Sequence, residues 1–194
     1  MRIVCCGDSN TFGYDPGSYF GGRYSASERW VELFAKLSGV ELVNLGENGR
    51  SIPAGPLVCD IVLKQLEKYK QDFLVIMLGT NDLLNGSTAE EACERMDAFL
   101  EKLRPAFADI LLLAPPPLQR GAWVSEERFI LESHLYSKCL EKLADSRGMP
   151  FMDSAAWGAE LAFDGVHLTA RGHEVFARNL YEEMKRRKLC LKQE

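Results

Sequence analysis

Gly7-Asp8-Ser9-Asn10 follows directly on the apolar run 3–6, and Gly13 comes three residues later. An apolar run that stops at a glycine and small polar residues predicts a strand ending in a tight turn. Side chains just past the carboxyl end of a strand in an open parallel sheet line the ligand crevice. Ser9 is thus presented to a ligand and is the candidate nucleophile. A serine hydroxyl is weak on its own, so the chain must also supply a base, a group to orient that base, and oxyanion donors. Asp164-Gly165-Val166-His167 offers a base in His167 and an orienting carboxylate in Asp164. Gly79-Thr80-Asn81-Asp82 offers the Asn81 carboxamide, whose N–H donors carry no titratable charge and suit an oxyanion at neutral pH. Asp82 reads as fixing this loop or capping the next helix. Cys6 is the alternative nucleophile, but a thiol inside an apolar run has nothing nearby to lower its pKa.

Alternating elements must position these residues. The runs 40–45, 73–78, 110–114 and 150–152 predict further strands, and 73–78 is continuously apolar, as a central parallel strand covered on both faces should be. Between them lie amphipathic stretches. Ser25 or Ser27 caps a helix whose apolar face is Trp30, Leu33, Phe34 and Leu37, ended by Gly39. Residues 53–69 form a second, packed through Ile61, Leu63 and Leu66. Ser87 or Thr88 opens a third that runs to 103, with Glu90 and Glu91 in its first turn. A fourth covers 125–147 and carries His134 as an ordinary histidine, and a fifth covers 169–188. Strict alternation predicts a three-layer α/β/α sandwich around a five-stranded parallel sheet. The aromatic loop 14–24 and the proline loop after residue 114 leave the expected crevice edge, either as pocket walls or as plain connectors.

The four chemistry-bearing stretches, Gly-Asp-Ser, the glycines Gly46 and Gly49 after the run 42–45, Gly-Thr-Asn-Asp and Asp-Gly-Val-His, occur in that order and together resemble the SGNH (GDSL-type) hydrolase family. The serine lacks the Gly-x-Ser-x-Gly elbow of α/β-hydrolases. The resemblance implies a flavodoxin-like doubly wound sheet; with three histidines and no metal-ligand clusters, no cofactor or metal is expected. It also implies a triad of Ser9, His167 and Asp164, with Ser9 N–H, Gly46 N–H and the Asn81 amide as the oxyanion hole. Taken alone, Gly46 reads equally as a turn glycine serving a positive φ. Asp-x-x-His selects His167 and leaves His173 a bystander. Leu78-Gly79-Thr80-Asn81-Asp82, the run 115–118 and Arg29-Trp30 look most like the small intracellular arylesterase or acetylesterase type. That likeness implies short acyl esters of an alcohol, phenol or sugar, acyl transfer to alcohols, and homo-oligomers in some members. Candidate substrate contacts are Asp8, Asn10, Tyr19, Phe20, Tyr24, Pro115, Pro116 and Trp123.

The 194 residues suit one domain, long enough to bury roughly 70% of the unfolded surface. With 46% hydrophobic and 26% charged residues, the composition is that of an ordinary globular chain. A net charge of −5 disfavours a nucleic-acid partner. The basic run Lys185-Arg186-Arg187-Lys188 reads as complementing a helix dipole. No run reaches membrane-spanning length. The chain passes from Met1 into a strand without a basic leader, and its six cysteines lack metal-ligand spacing. The expectation is therefore a cytoplasmic protein with reduced thiols. Two other readings compete with the hydrolase: a non-catalytic module cradling a phosphate or flavin at residues 7–13, and a metallophosphoesterase using Asp8, Asp82 and His167, which is short of ligands.

Overall fold

Strands β1 (Ile3–Gly7), β2 (Leu42–Gly46), β3 (Phe73–Met77), β4 (Ile110–Ala114) and β5 (Phe151–Asp153) pair in parallel in the order β2-β1-β3-β4-β5. The computed structural model describes residues 2–70 and 72–190, so the leaderless start expected at Met1 lies outside them. The residues of β1, β3 and β4 are buried throughout, which accounts for their unbroken apolar sequences. The strand order reverses around β1, placing the switch point of the doubly wound sheet between β1 and β3. Gly7 pairs with both Gly46 and Met77, so β1, β2 and β3 end level and their loops leave the same edge.

Helices α1 (Ser9–Phe12), α2 (Trp30–Ser38), α3 (Gly55–Leu66), α4 (Thr80–Leu84), α5 (Ala89–Leu103), α6 (Glu127–Arg147) and α7 (Ala170–Arg186) complete the chain. Adjacent Cys5 and Cys6 enter opposite cores, as strand alternation requires. Cys6 joins the core filled by Val62, Leu66, Met96, Phe99 and Leu140 of α3, α5 and α6. Cys5 joins Trp30, Phe34, Phe176 and Leu180 of α2 and α7.

Four local expectations shift. Helix α2 starts at Trp30, because the Ser25 hydroxyl is spent on Glu28 at 2.5 Å and caps nothing. Val31 takes the buried place expected of Leu37, which is exposed. In α3 the packing residues are Cys59, Val62 and Leu66, whereas Ile61 faces out, and the stretch expected to extend this helix closes as a separate 3-10 turn, Glu67–Tyr69. Thr88 opens α5 with a full capping box to Glu91.

His173 is fully buried on α7, where the Trp30 N–H donates to its Nδ1 at 3.4 Å and Tyr24 stands edge-on at 5.4 Å. Burial, and then the nearby Arg29 and His167, lower its pKa to about 3, so it packs as a neutral ring joining α2 to α7. His173→Ala should cost roughly 2–3 kcal/mol. That is a fall in Tm of roughly 5–10 °C with kinetics near normal in the folded protein. Below about pH 6.5 the unfolded chain protonates this histidine while the native state does not, so the native state loses stability as pH falls. In thermal melts the gap between variant and parent should therefore narrow from pH 6.5 towards pH 4.

Candidate active site

Ser9 is the first residue of a one-turn helix. Gly7 permits the sharp turn from β1, since a Cβ there would lie 2.0 Å from Thr11 Oγ1 and 2.9 Å from the Met77 carbonyl. Asp8 caps the helix by accepting the Asn10 N–H at 2.9 Å, and Gly13 ends it in the left-handed region. Ser9 Oγ lies 2.9 Å from His167 Nε2, and His167 Nδ1 lies 2.6 Å from Asp164 Oδ2. The carboxylate fixes the tautomer: Nδ1 carries the proton donated to Asp164, so Nε2 accepts from Ser9. The three-residue spacing of Asp164 and His167 has a local cause. Asp164 Oδ1 accepts the backbone N–H groups of Val166 (2.9 Å) and His167 (3.0 Å), folding the loop back on itself. Burial works to raise the pKa of Asp164, but the His167 ring and these two amides outweigh it and hold the carboxyl below its ordinary value.

Asn10 brings the two halves together. Its Nδ2 donates to the Val166 carbonyl at 3.0 Å and its Oδ1 accepts the Leu168 N–H at 2.9 Å, bracketing His167 from both sides. Asp8 and Asn10 are both buried, so these expected substrate contacts build the site from beneath and do not line it. The Asp8 Oδ2 faces the Thr80 hydroxyl without a hydrogen bond of normal geometry. Burial pushes the Asp8 pKa up to about 6.

Asn81 lies in α4, at the end of β3, and one of its two amide hydrogens goes to the Arg50 carbonyl at 3.0 Å. Asp82 fixes the loop, accepting the Ile52 N–H at 2.9 Å and Arg95 at 3.0 Å. The oxyanion role expected of Gly46 needs correction. Its N–H is committed to Asn44 Oδ1 at 2.9 Å, and a Cβ there would lie 2.1 Å from the Phe12 nitrogen, so Gly46 lets α1 lie against β2. Gly49, at φ +72°, has open space around it, and its N–H meets no acceptor among the described residues. It immediately precedes Arg50, whose carbonyl holds Asn81.

Arg50, which the sequence reading left unassigned, anchors this turn. Its side chain is 8% exposed. Its guanidinium donates to the Leu45 carbonyl at 2.5 Å and to Gln65 at 3.1 Å, and pairs with Glu47. Cys6 Sγ sits 3.7 Å from the same guanidinium, yet burial dominates and raises the thiol's pKa, which disfavours it as a nucleophile.

Among the aromatics, Trp123 stands edge-on to His167 at 5.1 Å, and Tyr14, not singled out in the sequence, lies at 4.6 Å. Tyr19 and Phe20, 95% and 93% exposed, pack on each other; Tyr24 packs on His173. These three therefore do not join the group around His167. Pro115 and Pro116 line a small crevice with Thr80, Leu83 and Tyr136. Asp8, Asp82 and His167 form no metal-holding group among the described residues. The Asp8 carboxylate occupies the helix N-terminus that a phosphate would need, which disfavours the anion-cradle reading.

A doubly wound α/β sheet with serine, histidine and aspartate in hydrogen-bonded line at its switch point defines a protein of the serine-hydrolase class. Residues 5–175 match the family model described as GDSL-like Lipase/Acylhydrolase family, and the chain belongs to that family. An acetylxylan esterase from Xylanibacter ruminicola is 24% identical over 91% of the chain. The chain spans less than half the length of the curated relatives it matches: 42% of that esterase and 16% of another. The native aryl esterase of M. smegmatis superposes with a TM-score of 0.83 at 23% identity, covering 95% of this chain and 98% of that one. A carbohydrate acetylesterase family member from Sinorhizobium meliloti gives 0.81 at 25% identity, covering 96% and 98%. No helix among the described residues is long and apolar enough to cross a membrane.

Two predictions follow from this geometry. Gly46→Ala keeps the N–H but collides with α1, so it should lose roughly 2–3 kcal/mol or fail to fold. A soluble variant with unchanged Tm and activity would overturn the packing role. Asp8 behaves in the opposite sense to His173. Its native pKa is raised to about 6, so the native state holds a proton that the unfolded chain releases near pH 4, and stability is lost as pH rises through about 6. Asp8→Asn should gain stability relative to the parent across that window, as read from melts between pH 4 and 7.

Proposed function

We propose that this chain is a serine ester hydrolase that removes short acyl groups, chiefly acetyl, from alcohol, phenol or sugar oxygens through an acyl-enzyme on Ser9. The observation that carries the reading is the buried line from Ser9 Oγ through His167 to Asp164, at 2.9 and 2.6 Å. As Ser9 Oγ attacks the ester carbonyl carbon, its proton passes to His167 Nε2, and Asp164 stabilises the imidazolium. The carbonyl oxygen becomes an oxyanion. The Ser9 N–H, the Gly49 N–H and the second hydrogen of Asn81 Nδ2 stabilise it, the first hydrogen of Asn81 being held by Arg50. Collapse breaks the bond to the leaving oxygen, which takes the proton from His167. Water, deprotonated by the same histidine, then attacks the acyl carbon; the bond to Ser9 Oγ breaks, Oγ takes the proton back from His167, and the acid is released.

The acetyl preference draws on the relatives named as an acetylxylan esterase and a carbohydrate acetylesterase family member. An alcohol in place of water would give acyl transfer by the same steps. The six free cysteines support a reducing, cytoplasmic setting, and the net charge of −5 argues against nucleic acid as a partner.

Ser9→Ala should abolish hydrolysis of p-nitrophenyl acetate while leaving the melt unchanged. An organophosphonate should label Ser9 alone by mass spectrometry; labelling elsewhere would refute the nucleophile. His167→Ala should cost at least roughly 10³-fold in kcat, and Asn81→Ala roughly 10²–10³-fold, mostly in kcat because that bond strengthens in the transition state. Asp164→Ala should be no harsher than His167→Ala.

A further inference from the structure

Two aromatic rings flank His167 from different loops. Tyr14 follows α1 and meets the imidazole at 4.6 Å with a tilt of 51°. Trp123 follows β4 and meets it at 5.1 Å, nearly perpendicular at 83°. Trp123 is nonetheless 55% exposed. Its exposure does not come from a loose loop. The Trp123 N–H donates to the Asp164 carbonyl and the Ala122 N–H to the Phe163 carbonyl, each at 3.0 Å, and the Gln119 N–H donates to the Gly165 carbonyl at 3.0 Å. Gly121 lies so close to the Asp164–Gly165 backbone that a Cβ there would sit 2.4 Å from it. The backbone is therefore clamped to the loop that carries Asp164 and His167, while the Trp123 side chain stays exposed beside the base.

The direction of the reaction assigns that face. The leaving oxygen must collect its proton from His167 Nε2, so the group attached to it lies against whatever flanks His167. The acyl carbonyl is held on the other side, by donors following β1, β2 and β3. We propose that Trp123, with Tyr14 also against His167, forms a leaving-group subsite that takes a six-membered ring, a planar aryl or the C–H face of a pyranose chair, by packing on the indole. A rigid aromatic face binds such a ring at little entropic cost. This inference rests on the ester-hydrolase reading and adds to it the part of the substrate that Trp123 recognises.

The test compares kcat/KM for benzyl acetate, a mono-O-acetylated methyl xylopyranoside and ethyl acetate, followed by pH-stat with the parent, Trp123→Ala and Trp123→Phe. The alcohols released are all poor leaving groups, so each needs the proton from His167. In Trp123→Ala the ratio of ring ester to ethyl acetate should fall roughly tenfold, chiefly through KM, and Trp123→Phe should restore most of it. A fall for benzyl acetate alone identifies an aryl ring, and for the xyloside alone a sugar. Equal losses on all three esters would overturn the subsite and make Trp123 a mere cover for His167. Unchanged ratios would overturn it too, as would an effect that follows acyl length between benzyl acetate and benzyl butyrate. If the folded parent cleaves none of these esters, or Ser9→Ala cleaves them equally well, the hydrolase reading itself fails, a result distinct from any loss of ratio.

Discussion

The carboxamide of Asn10 carries the contact on which the site most depends. Ser9 and His167 lie 158 residues apart in the chain, and the hydrogen bond between them exists only if two loops meet in one register. Asn10, next to Ser9, makes that register by donating to Val166 and accepting from Leu168, the residues on either side of His167. A carboxamide suits this task because it has one donor end and one acceptor end, as a peptide group does. An aspartate there would face the Val166 carbonyl with a second acceptor, and an alanine would leave two buried backbone groups without partners. The Asn10 carbonyl also accepts Trp30 Nε1 at 2.9 Å, so the nucleophile turn is held by α2 as well. The triad geometry is in this sense set from below the site, by a buried residue that need never touch substrate.

The same economy of backbone contact explains the glycines near the site. At Gly46 the backbone of α1 approaches too closely for any side chain, and Asn44 seals the contact by donating to the Thr11 carbonyl and accepting the Gly46 N–H, both at 2.9 Å. Gly49, three residues on, meets no such neighbour, and its turn is held instead by Arg50. One glycine serves close packing, and the N–H of the other meets no acceptor among the described residues. The difference lies in what stands opposite each of them in space.

That contrast marks what could be read from the sequence. The order of motifs placed Ser9 and Asn81 at strand ends, whereas Asp164 and His167 lie in the loop before α7, past the 3-10 turn that follows β5. Strands β1, β3 and β4 were legible because buried parallel strands are unbroken apolar runs. The one-turn helices holding Ser9 and Asn81 were not, since four or five residues are too few to show a 3.6-residue period. Seeing that Gly46 serves packing required knowing that α1 folds back over β2, a contact between residues 34 apart. The aromatic loop misled for a related reason. Composition indicated that loop 14–24 held rings able to wall a pocket, but the bridge between Tyr14 and Arg23 turns the chain so that Tyr14 reaches His167 while Tyr19 and Phe20 point away.

The buried ionisable groups around the triad form an electrostatic balance that no single motif discloses. Asp8 sits near enough to His167 for its charge to be felt there, and burial makes that charge costly below about pH 6. Above that pH the ionised Asp8 is a second negative charge in the neighbourhood of His167, beside that of Asp164. His173 acts in the other direction only if protonated, and burial together with Arg29 and His167 keeps it neutral. The base thus has two carboxylates near it and one histidine that stays silent. Asp164 is stabilised as an anion by two backbone amides and the ring itself, whereas Asp8 has a single amide and an unsatisfied oxygen. The two acids differ in the number of donors the backbone supplies. That difference, together with the cost of burying the Asp8 charge, favours Asp164 as the ionised carboxylate, while Asp8 gains its charge only as the pH rises through about 6.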